Sequence, residues 1–79
     1  MSESPKVLLS TLMVLGAQSL EKAIPIDELA LKLGIGVSEL QVELDKLTGA
    51  GYAVTTRQAG RVRVYLTGTG VITASSAYS

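Results

Sequence analysis

Neither cysteine nor histidine occurs in this chain. Without cysteine there is no disulfide framework and no thiolate metal site, and without histidine the commonest general base and metal ligand is gone. The carboxylates that remain are spread mainly over helix faces, and no acid–base constellation emerges from their spacing. Long apolar runs are missing too. The longest, Val7 to Gly16, is broken by Ser10 and Thr11, whereas a bilayer-spanning helix needs about 20 apolar residues. The start lacks the basic flank and cleavage site of a signal peptide. These absences lead us to expect a soluble cytoplasmic protein that is not an enzyme, holds no cofactor or metal and has no membrane partner.

A further absence concerns charge. No carboxylate side chain follows Asp45. Residues 1–45 carry three lysines against seven acids, a net −4, and the remainder carries Lys46, Arg57, Arg61 and Arg63 unopposed, a net +4. The formal total of zero conceals this division, which suggests a positive surface at one end for an anionic partner. With 79 residues, 47% of them hydrophobic, the chain fits one domain over 1–79, its core at about 5–70 and a short C-terminal helix or tail at 71–79.

The pattern predicts three helices and then a hairpin. Ser4 before Pro5 caps a first helix reaching about Gly16 or Ala17, with Leu8, Leu9, Leu12, Met13, Leu15 and Gly16 as its core stripe. Val7 and Val14 stand outside that stripe and need another cover. A second copy of the same helix is the simplest one, which makes the two valines a homodimer contact; the alternative cover is the segment Val71 to Tyr78, folded back as a short helix. Ile24-Pro25-Ile26 is extended, and DELALKLG forms a second helix stopped by Gly34. In the third helix Val37, Leu40, Leu44 and Leu47 face inward, Ser38 and Gln41 form a capping box, and the outer face holds Ser38, Glu39, Val42, Asp45 and Lys46, with Gln41 and Glu43 at its margins.

Tyr52–Arg57 and Val62–Leu66 alternate as half-buried strands joined by the three-residue loop Gln58-Ala59-Gly60. In that register Arg57 opposes Arg61, Thr55 opposes Arg63 and Ala53 opposes Tyr65, so the three arginines share one face, while Tyr52, Val54 and Thr56 meet Leu66, Val64 and Val62 on the other. The bland reading is a solvated polar face. The clustering, and the match of a planar guanidinium to phosphate, favour an anion-binding face.

The succession IDELALKLGIG, VSELQVELDKLTGAGY, hairpin and VYLTGTG resembles the winged helix-turn-helix domain of prokaryotic transcription regulators of the MarR-like and ArsR-like kind. The resemblance covers nearly the whole chain. It rests on E-L-A-x-x-L-G (Glu28 to Gly34), L-x-x-L-x-x-A-G-Y (Leu44 to Tyr52) and the Y-x-L-T-x-x-G-like ending Val64 to Gly70. It implies a mainly α fold with a small β-hairpin, a three-helix core plus wing, and double-stranded DNA as partner. By that resemblance the third helix sits at the major groove through Ser38, Gln41, Val42 and Lys46, and the wing touches the backbone through Arg57, Gln58, Arg61 and Arg63. One departure is that Glu39, Asp45 and Glu43 would face phosphates, where carboxylates offer base reading only to cytosine amino groups. The second function class is therefore a protein-interaction module, with Val42 and the acids set against a basic partner. Gly68 and Gly70 fit turn chemistry before a last helix capped near Thr67, since no lysine follows to complete a phosphate loop.

Overall fold

The computed structural model describes residues 5–78. Helix α1 spans Pro5–Val14; its expected cap, Ser4, lies outside the described residues. Leu8, Leu9 and Leu12 are buried and Met13 half-buried, as the 3.6-residue period requires. Leu15 is exposed instead, because the helix has already ended and Gly16, at φ +77°, redirects the chain. A 3-10 turn at Leu20–Lys22 leads to the two-residue strand β1, Ile24–Pro25. Helix α2, Ile26–Leu33, buries Leu29 and Ala30 and stops at Gly34 in the left-handed conformation.

Helix α3, Val37–Gly49, buries Leu40, Leu44 and Leu47. Val37 is 45% exposed, because the first helical residue precedes the turn that reaches the core. Glu43 departs from expectation more sharply. It is 3% exposed, and its Oε1 accepts a hydrogen bond from Lys46 Nζ at 3.2 Å. At 100° per residue Glu43 stands only about 40° from Leu47, so it borders the inner stripe and not the outer face. The expected capping box is also absent. Gly36 is the N-cap residue and makes no side-chain cap bond, while Gln41 Nε2 donates to Asp45 Oδ1 at 3.0 Å.

Strands β2, Ala53–Gln58, and β3, Arg61–Leu66, pair antiparallel, with β1 on the far side of β3. Their register differs from the expected one by a single residue. Ala53 opposes Leu66, Thr55 opposes Val64, Arg57 opposes Val62 and Gln58 opposes Arg61. The cause lies at the tip, where Ala59 (φ 52°) and Gly60 (φ 78°) are both left-handed, as a two-residue type I′ turn demands. Gln58 thereby leaves the loop for the strand. At the other end, the small Ala53 joins Val64 and Leu66 in the core, whereas Val54, expected inside, is exposed.

Helix α4, Gly68–Tyr78, packs on α1. Thr67 organises its start: Oγ1 accepts from the Gly70 N–H at 3.0 Å and donates to the Gly51 carbonyl at 2.7 Å, while the Thr67 N–H donates to the Tyr52 carbonyl at 3.0 Å. Gly70 lies so close to that same carbonyl that a Cβ would collide with it. Ala74 of α4 is fully buried. The helix leaves Val7 and Val14 exposed at 42% and 70%, and Ile72, expected to help cover them, is itself 70% exposed. The side chain of Tyr78 lies outside the described residues.

Candidate nucleic-acid interface

The β2–β3 hairpin outruns the core it is anchored in. On its inner face Ala53, Val64 and Leu66 are buried, but farther out Val62 is half-buried and Thr55 and Arg57 are exposed. Because side chains alternate across a strand, these outer residues point to the same side as the core residues and stand over the flank of α3. Between hairpin and helix lies a notch of about 410 Å³ lined by Gln41, Thr55, Thr56, Arg57 and Val62. Thr55 and Thr56 were not among the expected contacts. The signal that could have found Thr55 is the alanine two residues earlier, small enough to take the core position opposite Leu66.

The three arginines do not share a face. Arg57 stands on the α3 side with Val62, while Arg61 and Arg63 point to the opposite side, across from Gln58 and Thr56. The one-residue register shift is the reason, since a slip of one exchanges the faces of a strand. Arg61 is further distinguished by a partner 34 residues away, its Nη2 donating to Asp27 Oδ1 at 3.1 Å and to Oδ2 at 3.2 Å. Asp27, in the first turn of α2, has its carboxyl held below the ordinary aspartate range chiefly by that hydrogen bond. Arg63 is half-buried against Pro25 of β1, and its Nε is shielded from solvent with no hydrogen-bond partner. Its stem therefore serves as packing. Among the described residues, Arg57 is the exposed arginine with no ion pair.

On α3, Ser38, Glu39, Val42, Asp45 and Lys46 are exposed. Lys46 is tied to Glu43, so its charge is partly offset by a buried neighbour. Gln41 is half-buried and leans along the helix to Asp45. Val7 and Val14 lie far from this surface in the sequence and line a different groove, of about 440 Å³, with Leu15, Ser10, Lys6 and Lys32. Among the described residues no group of acids could hold a metal ion, and no helix is long and apolar enough to cross a membrane.

No protein-family model matches the chain, and no curated protein matches it in sequence. Solved structures do. TubR from Bacillus megaterium pBM400 aligns with a TM-score of 0.84 at 24% identity over 94% of this chain and 83% of its own. A proposed DNA-binding protein from Ralstonia eutropha JMP134 aligns at 0.70 with 27% identity, over 99% of this chain and the whole of the other. The transcriptional repressor CouR, in a structure bound to a 23-mer DNA duplex, aligns at 0.72 with 30% identity over 89% of this chain. The chain spans 49% of the length of CouR. The architecture of these proteins is the one described above, with α2 and α3 as the helix-turn-helix and β2–β3 as the wing.

Proposed function

We propose that this chain, a winged helix-turn-helix by its fold, binds double-stranded DNA as a transcription regulator, with α3 at the major groove and the wing on the phosphate backbone. The observation that carries the reading is the charge division. All three arginines belong to β2 and β3, and no carboxylate side chain lies in the sequence from Lys46 onward. The structure of CouR on a DNA duplex supports it by likeness of fold. Ser38, Gln41, Val42 and Lys46 are the α3 residues assigned to the groove; Arg57, Gln58, Arg61 and Arg63 are those assigned to the wing.

Phosphate contact releases condensed counterions, so affinity for a mixed-sequence duplex is expected to fall linearly with salt on logarithmic axes, by about 0.9 per phosphate neutralised. A chain that binds no duplex even at low salt ends the reading. One observation favours the second function class in that case: Val42 is 57% exposed between the exposed acids Glu39 and Asp45, a surface suited to a basic protein partner.

The same reading includes a homodimer through Val7 and Val14, since two-fold regulators read half-sites about one turn of DNA apart. Their exposure, with Ile72 of α4 itself exposed, supports a second copy over the intramolecular cover. Sedimentation of the wild type and of a Val7→Glu, Val14→Lys double mutant tests it. The expected result is a dimer that the mutant splits into folded monomers; a wild type that stays monomeric at high micromolar concentration ends the dimer.

A further inference from the structure

We infer that the notch between α3 and the wing is a subsite for a single phosphodiester group of the duplex, with Arg57 as its charged anchor and Thr55 and Gln41 as its neutral donors. This rests on the DNA-binding reading and assigns within it one site that the arginine cluster alone does not specify.

Three observations converge on it. The polar side chains on the notch side of the hairpin and on α3 can all donate to a phosphate oxygen: the guanidinium of Arg57, the hydroxyl of Thr55 and the amide of Gln41. No carboxylate lines it. Gln41 spends one amide hydrogen on Asp45 Oδ1 and keeps the second, since a carboxamide nitrogen carries two. That bond also engages Asp45, the acid one helical turn on from Gln41. Val62 supplies an apolar wall.

The second observation is the state of the other two arginines. One nitrogen of the Arg61 guanidinium, Nη2, is engaged by both oxygens of Asp27, so a phosphate reaching Arg61 meets a charge already partly offset by a carboxylate. Arg63 is half-buried beside β1 with a shielded Nε. Among the described residues nothing engages the donors of Arg57, and a planar fork is pre-organised for phosphate oxygens. The third observation is placement. The notch joins the two elements that a winged helix applies to DNA, so a phosphate held there fixes the helix and the wing on one strand simultaneously.

Binding isotherms on one mixed-sequence duplex over a salt series test the subsite, using the full chain and the variants Arg57→Gln, Arg61→Gln, Thr55→Val and Gln41→Ala. Arg57→Gln is expected to flatten the salt slope by about 0.9, so that its affinity deficit is about 3.5-fold larger at 50 mM than at 200 mM salt. Thr55→Val and Gln41→Ala are expected to weaken binding several-fold with the slope unchanged, because neutral donors release no counterion. Arg61→Gln is expected to move the slope less than Arg57→Gln. Wild-type affinity and slope in Arg57→Gln, on a duplex that the wild type binds, overturns the subsite and leaves the DNA reading standing. So does a slope change in Arg61→Gln as large as that of Arg57→Gln, or unchanged affinity in both neutral variants. A wild type that binds no duplex overturns both.

Discussion

Arg61 and Asp27 are joined by two hydrogen bonds from one guanidinium nitrogen, 3.1 and 3.2 Å long, across 34 residues of chain. The pair ties the tip of β3 to the first turn of α2, where a carboxylate is also favoured by the helix dipole. It takes one wing arginine out of the free positive charge. Both side chains are well exposed, so the pair matters for the availability of Arg61 more than for stability.

Replacing Asp27 with asparagine is expected to release Arg61 and strengthen DNA binding, steepening the salt slope by up to about 0.9 if the freed guanidinium takes a phosphate. An unchanged slope means that Arg61 does not reach the duplex. The pH sign is set by the lowered carboxyl: the tie is fully present above the ordinary aspartate pKa and is lost as pH falls through the depressed one. Between about pH 6 and 8 the lowered Asp27 carboxyl stays ionised, so the Asp27→Asn effect is expected to be constant there.

The acids of α3 are expected to separate into two kinds. Glu39 is exposed, and Glu39→Gln should raise non-specific DNA affinity by about a few-fold, through removal of a repulsive charge near phosphates. Glu43 is buried and bonded to Lys46. Glu43→Gln should instead lower stability by about 0.5–1.5 kcal/mol, because the carboxamide can still accept from Lys46 but without the charge that strengthens that bond. Denaturant melts and binding isotherms on the two single mutants distinguish the roles; a Glu43→Gln variant as stable as wild type contradicts this assignment.

The wing tip stores a small strain. Ala59 adopts φ 52°, a conformation that costs an alanine about 1–2 kcal/mol. Ala59→Asn or Ala59→Gly is expected to relieve part of it and raise the melting temperature, because Asn-Gly and Gly-Gly suit a type I′ turn. The same substitutions lower stability if the loop has three residues with Ala59 right-handed, so a melt tests the register itself.

Gly70→Ala is expected to be among the most damaging changes to an aliphatic side chain of this size. Its Cβ meets the Tyr52 carbonyl, which already accepts the Thr67 N–H. Overpacking of this kind costs about 1–3 kcal/mol. Urea unfolding of Gly70→Ala beside Gly68→Ala, where a Cβ meets nothing, isolates the collision: comparable midpoints for the two would contradict it.

The helices were legible because each carries its own signals. The leucine spacing of α3, the left-handed Gly34 and Thr67 as the cap of α4 are local features whose physics acts within a few residues. The division of charge was equally open to view, since it needs only the order of residues. What the chain could not disclose by itself was which side of the hairpin each arginine takes. That depends on whether Ala59 accepts a positive φ and on whether Ala53 or Tyr52 and Val54 fill the space beside Leu66, and both are decided by packing against the helices. A strand reads the same on paper in two registers, and only burial of one face selects between them. The pairing of Arg61 with Asp27, the burial of Glu43 and the notch that leaves Arg57 open to an anion follow from that choice and from contacts between segments distant in sequence, so tertiary structure alone decided them.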